Sequence, residues 1–243
     1  MGWSTKPMQS VSPQYEAEEK ITVNGNVDLY AVVFNRTTET DLTEDQLPQV
    51  DIYKYKQVIF VGDSRTEFME NVLTGMGESA TKNVKFVCSA GKGLDWFTTT
   101  GWAQLYSIVQ HDSNSILSKK TAVIFNFGVN DLSKSADYAE YYNWIAPQLK
   151  SKGCELYFMS VNPVNRLMLP NAGRADRSEA AVRSFNQYMK ANLSSAYTYI
   201  DMYSYLKSTG YSFASDHYGT GTVDDGLHYT TRTYSVFCKC RIH

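Results

Sequence analysis

The chain has 243 residues, and its 23 basic and 25 acidic side chains leave a formal charge of −2 with no block of like charge. That balance excludes a nucleic-acid arm and a polybasic membrane anchor as organising features. No apolar run reaches the length of a membrane span, and "MGWSTKPMQSVSPQYEAEEK" lacks the apolar stretch of a signal peptide, although a signal already removed would leave the same sequence.

In chain order, residues 1–56 read as an N-terminal extension packing on the main domain. "KITVNGNVDLYAVVF" predicts two short strands around Asn24-Gly25, a favoured hairpin turn, and "NRTTETDLTEDQLPQVD" predicts a polar loop. From Gln57 onward, apolar runs alternate with helical periodicity. "QVIFV", "VKFVC", "TAVIFNF", "ELYFMSV" and "YTYID" are the predicted strands. Helices are predicted over Glu67 to Leu73, Trp96 to Gln110, Tyr138 to Lys150 and Arg177 to Leu193, with a last short one from Thr230 to Cys238. Strands apolar on both faces and separated by helices require a mostly parallel sheet covered on both sides. Residues 57–243 are therefore expected to form a three-layer α/β/α sandwich around five strands. The 18 Tyr, 11 Phe and 4 Trp fit sugar-stacking surfaces, but core and partly buried tyrosines account for them more simply. Cys88, Cys154, Cys238 and Cys240 lack the paired spacing of a zinc site and are too sparse for a disulfide scaffold.

In sheets of this kind, ligands bind outside the carboxyl ends of the strands. Polar and glycine residues collect there: Gly62-Asp63-Ser64 after the first strand, Ser89-Ala90-Gly91-Lys92-Gly93 after the second, and Gly128-Val129-Asn130-Asp131 after the third. Asn162-Pro163-Val164-Asn165 follows the fourth, and "DHYGTGTVDDGLHYT" lies beyond the fifth. A serine where a strand turns sharply into a helix lies beside unpaired N–H groups and the positive end of the helix dipole. It serves as a simple cap or as a nucleophile.

Taken together and in this order, Gly62-Asp63-Ser64, a glycine after strand two, Gly128-x-Asn130-Asp131 and Asp225-x-x-His228 resemble the SGNH hydrolases, or GDSL family, over Gln57 to Thr230. "FVGDSRT" and "GLDWF" resemble a branch from Gram-positive bacteria whose members are often exported, which implies an extracellular or cell-surface location. The resemblance implies a flavodoxin-like SGNH fold and a triad of Ser64, Asp225 and His228. It also implies an oxyanion hole built from Ser64 N–H, a glycine N–H and the Asn130 amide. Gly93 aligns best as that glycine, with Gly91 as its rival.

The chemistry of the residues agrees. A serine hydroxyl needs a base to take its proton, and histidine suits that role near neutral pH. Of the four histidines, His111 lies on a predicted helix, His217 lacks a carboxylate at matching spacing and His243 is terminal. Asp225, one turn before His228, can hold the imidazole tautomer, with Asp224 as the rival acid and helix capping as the plain alternative. Asp63 and Asp131 read as tethers to loop N–H groups. Arg65, Asn162 and Asn165 are candidate substrate contacts, Arg65 equally a partner for a carboxylate, and "GTGTVDDG" reads as a mobile substrate loop.

The expected function is a cofactor-free, metal-free serine esterase acting on short-chain, acetyl, small-molecule or carbohydrate esters. An O-acyltransferase using the same site and a flavodoxin-like binding module without catalysis are the alternatives.

Overall fold

Two central strands buried on both faces set the architecture. In β4 (Gln57–Gly62) and β6 (Thr121–Asn126) every residue is buried, and successive side chains point to opposite layers. Val58 and Phe60 face one helical layer with Ala122 and Ile124, whereas Ile59 and Val61 face the other with Val123 and Phe125. The protein is described here from a computed structural model covering residues 2–5, 15–16, 22–32, 55–77, 82–112, 120–165, 168–169, 177–214 and 225–238.

Together with β5 (Val84–Cys88), β7 (Cys154–Met159) and β8 (Tyr197–Ile200), these strands form a five-stranded sheet in the order β5-β4-β6-β7-β8, with every neighbouring pair parallel. That order reverses direction between β4 and β6, creating the switch point where α/β sheets bind ligands. Helices α1 (Ser64–Gly75), α6 (Met202–Thr209) and α7 (Thr231–Cys238) contribute to the core on one face. Helices α3 (Trp102–Asp112), α4 (Ser135–Ser151) and α5 (Glu179–Asn192) cover the other. The expected three-layer sandwich is therefore observed, and the five predicted strands agree to within a residue or two at each end.

Between β5 and α3 the chain forms the short helix α2 (Leu94–Trp96) and a π turn, Phe97–Gly101. Thr98 and Thr99 both donate their hydroxyls to Asp95 O, competing with the backbone for that carbonyl at the widened turn. Helix α6 is an addition to the sequence-based expectation: Asp201 caps it by accepting from Ser204 N–H at 3.1 Å, and it buries Met202 and Leu206.

The N-terminal expectation needs correction. Thr22 to Leu29 form no strand on either side of Asn24-Gly25, and these residues are exposed. Instead β3 (Tyr30–Val32) pairs antiparallel with β1 (Gly2–Ser4), which also pairs with β2 (Tyr15–Glu16). Without a buried face, the turn preference of Asn-Gly has no strand burial to reinforce it. Tyr55, assigned to the extension from sequence, is 2% exposed and belongs to the core beside α1. Among the described residues, no helix is long and apolar enough to cross a membrane.

Candidate active site

At the carboxyl end of β4, Asp63 is the N-cap of α1 and accepts a hydrogen bond from Arg65 N–H at 3.0 Å. This sharp turn leaves Ser64 as the first helical residue, with its N–H ahead of the helix's own hydrogen-bond ladder. His228 Nε2 lies 2.9 Å from Ser64 Oγ across 164 residues of sequence. His228 Nδ1 lies 2.6 Å from Asp225 Oδ2, while Asp225 Oδ1 accepts from the N–H groups of Leu227 at 2.9 Å and His228 at 2.8 Å.

An ionised carboxylate only accepts, so it places the imidazole proton on Nδ1 and turns the Nε2 lone pair toward the serine. Burial raises the Asp225 pKa, but the hydrogen bonds from His228 and Leu227 together outweigh it and hold the group below the usual carboxyl value. The tight turn requires Gly226: its φ is +73°, and a Cβ there would strike the Asn165 carbonyl. Phe68, one turn along α1 from Ser64, stacks on the imidazole with ring centroids 4.2 Å apart.

The three residues expected from sequence to contact substrate are as buried as the catalytic pair, and Arg65 makes its hydrogen bonds to the protein itself. Arg65, Asn162 and Asn165 are 2%, 0% and 4% exposed. The Arg65 guanidinium donates to the carbonyls of Leu227 at 2.9 Å, Asn162 at 2.8 Å and Pro163 at 2.8 Å, and lies 5.0 Å from the Tyr229 ring centroid. It binds the loop after β7 to the segment between Asp225 and His228. Asn165 braces the same segment through its main chain, donating to Gly226 O at 2.8 Å. Glu179 fixes the β7 loop from the other side, accepting from Val164 N–H at 2.6 Å and Tyr203 Oη at 2.5 Å.

In the loop after β6, Asn130 Nδ2 donates to Lys92 O at 2.7 Å, tying that loop to the loop after β5. Asn130 Oδ1 accepts from Arg177 Nη2 at 2.7 Å, and Arg177 Nε donates to Val129 O at 2.6 Å. Gly93 packs directly on the Asp131 carboxylate, which leaves no room for a Cβ, whereas Gly91 is exposed and has no neighbour at that distance. Neither Ser64 N–H nor Gly93 N–H has a hydrogen-bond partner among the described residues.

The two neighbouring aspartates serve the loops, as their positions suggested. Asp131 accepts from Leu94 N–H and Tyr138 Oη, both at 2.8 Å. Burial raises the pKa of Asp131 despite those bonds, and burial outweighs the attraction of Arg65 to push Asp63 up to about 6. His111 is exposed on α3, with Nδ1 2.7 Å from Ser107 O and no link to this site. Asp224, His217, His243 and residues 219–224 of the glycine-rich loop lie outside the described residues. Arg177, Phe68 and Glu179 were missed from sequence because their partners come from distant loops.

A flavodoxin-like sandwich with a serine, a histidine and a carboxylate in one hydrogen-bonded line at its switch point belongs to the SGNH type of α/β fold. A model of the GDSL-like lipase/acylhydrolase family matches residues 58–240, most of the chain, and the chain belongs to that family. The family's general chemistry is ester and acyl hydrolysis of small-molecule substrates. No curated protein matches the chain.

Among solved structures, a protein of Slackia heliotrinireducens described as an SGNH hydrolase is 13% identical, with a TM-score of 0.54, over 76% of this chain and 96% of its own. The acetyl xylan esterase AlAXEase shows 13% identity and a TM-score of 0.51 over 76% and 96%. A Bacteroides fragilis protein described as an acylhydrolase shows 18% identity and a TM-score of 0.50 over 81% and 89%. At these identities the likeness is one of fold.

Proposed function

We propose that the chain is a serine esterase acting on short-chain esters, acetyl esters foremost and those on carbohydrates included. The observation that carries this reading is the 2.9 Å contact between His228 Nε2 and Ser64 Oγ, with Asp225 holding the other ring nitrogen. Ser64 Oγ attacks the ester carbonyl carbon as its proton passes to His228 Nε2, giving a tetrahedral oxyanion. The intermediate collapses by breaking the bond to the leaving alkoxide, which takes the proton back from His228 and departs as the alcohol. Water then repeats the cycle on the acyl-enzyme, giving its proton to His228, and the acid is released with Ser64 restored.

The oxyanion is stabilised by Ser64 N–H, Gly93 N–H and the remaining Nδ2–H of Asn130, with Gly93 preferred over Gly91 because it packs on the Asn130-Asp131 loop. No cofactor is required in this scheme. A short acyl group on a polyhydroxylated carrier suits a loop-built site at a sheet edge in an aromatic-rich chain, and an acetyl xylan esterase shares the fold. An extracellular or cell-surface site of action and a role for the N-terminal residues before Tyr55 as an extension packing on the catalytic domain complete the proposal.

A panel of aryl esters of graded acyl length and acetylated sugars, assayed with and without a sugar acceptor, tests it. The expected result is release of free acetate with rates falling as the acyl chain lengthens. Acyl transfer to the sugar in place of hydrolysis, or a preference for long acyl chains, would refute the esterase assignment or its acyl preference respectively.

A further inference from the structure

We infer that Arg177 is a positioning residue that orients and polarises the Asn130 amide toward the substrate's oxyanion. The inference rests on the reading of Asn130 as an oxyanion donor and extends it to a residue outside the four sequence motifs. A primary amide has one acceptor oxygen and two N–H donors, and its two ends are told apart only by their partners. Here the partners leave one solution. The Lys92 carbonyl can only accept, so it takes the Nδ2 end at 2.7 Å. A guanidinium can only donate, so Arg177 Nη2 takes the Oδ1 end at 2.7 Å.

Arg177 is itself held by the 2.6 Å bond from its Nε to Val129 O, so one guanidinium grips two successive residues of the loop in a planar fork. With the oxygen and one N–H of Asn130 engaged, the second N–H remains for an anion. A cation bonded to the amide oxygen also draws electron density from the nitrogen, which strengthens that N–H as a donor to negative charge. This effect grows as the oxyanion forms and is small for a neutral ground-state carbonyl, so it acts on kcat more than on KM. Arg177 immediately precedes the Ser178 cap of α5, so the device links the α5 entry to the loop after β6.

A double-mutant cycle tests the inference, read both as steady-state turnover of a short aryl ester and as the rate of Ser64 modification by a fluorophosphonate. Arg177→Ala is expected to lower kcat on the order of tenfold with KM nearly unchanged, and to slow Ser64 modification by a similar factor. Arg177→Lys, which keeps the charge but cannot span both acceptors, should fall between wild type and Arg177→Ala. In an Asn130→Ala background the Arg177→Ala substitution should have almost no further effect. If Asn130→Ala damages turnover and Arg177→Ala adds its full factor on top, the positioning role is overturned while the oxyanion reading of Asn130 stands. If Asn130→Ala leaves both rates near wild type, the oxyanion reading fails and the inference fails with it. A fall in melting temperature with kcat unchanged would reduce Arg177 to a structural fastening and overturn the inference.

Discussion

Replacing Asp225 with asparagine tests how the histidine is oriented, because the variant's hydrogen-bond choices can be worked out from the geometry. Asp225 Oδ1 accepts from two backbone N–H groups, and Oδ2 faces the single donor His228 Nδ1. An asparagine has one acceptor oxygen. Facing the imidazole with it would set the amide NH2 against two buried N–H donors, whereas facing the backbone with it sets the NH2 against one ring nitrogen. The second arrangement leaves fewer conflicts, so the imidazole must present a lone pair at Nδ1 and carry its proton on Nε2. The base then points a proton at Ser64 where it needs to accept one.

The expected loss in kcat for Asp225→Asn is about 10⁴-fold, or about 5.4 kcal/mol of transition-state stabilisation. The fold should survive with a loss of about 1.5–3 kcal/mol for the charged hydrogen bond removed. Steady-state hydrolysis of 4-nitrophenyl acetate, with urea unfolding on the same samples, reads both quantities. Activity within tenfold of wild type in a folded variant would refute the tautomer-holding role of Asp225 and return Asp224 to consideration.

Further outcomes follow from other contacts. Asn130→Asp, which substitutes acceptors for the proposed donor, should lower kcat by roughly 10²- to 10³-fold with KM little changed, and a wild-type kcat would remove Asn130 from the oxyanion hole. Arg65→Lys replaces a planar fork with a point charge that cannot serve Asn162, Pro163 and Leu227 together, and among the described residues only Pro163 O keeps a second donor, Tyr229 Oη at 2.5 Å, so urea unfolding should show a loss of about 1–3 kcal/mol, and an unchanged midpoint would contradict the bridging role. Asp63→Asn keeps the cap acceptor and removes a buried charge. Because the folded pKa of Asp63 is raised from 3.8 to about 6, the wild type loses stability as pH rises through that interval, by on the order of 3 kcal/mol in all. The variant's advantage in melting temperature should therefore grow from pH 4 to pH 7 and then level off, and a constant difference across that range would contradict it.

Much of the fold and of the site was legible because both rest on local or strictly ordered patterns. The strands are short apolar runs between helical segments, and the chemistry gathers where those runs end, so Ser64, Asn130 and His228 could be named before any tertiary contact was known. What was hidden depends on where long side chains reach. Arg65 reads as a substrate contact or a carboxylate's partner beside the serine, yet three carbonyls converge on its buried guanidinium from residues 97 to 162 positions away in sequence. Arg177 precedes a helix cap and carries no motif, and only the fold brings it to Asn130. Helix α6 is faint in the sequence because "MYSYLKST" contains serines and β-favouring tyrosines, and only Met202 and Leu206 mark its buried face. The Asn24-Gly25 turn signal gives no strand over Thr22 to Leu29 for the opposite reason: these residues are exposed, and no buried face fixes a register there.

The most direct test of the central claim is covalent labelling of the native chain with a fluorophosphonate, read by intact mass and by mapping of the modified peptide. The predicted result is a single adduct on Ser64 that abolishes esterase activity in proportion to its extent, is absent in Ser64→Ala and forms far more slowly in His228→Ala. Persistent ester hydrolysis by Ser64→Ala, or an inactivating adduct mapped to any other residue, would contradict the assignment of Ser64 and His228 as nucleophile and base.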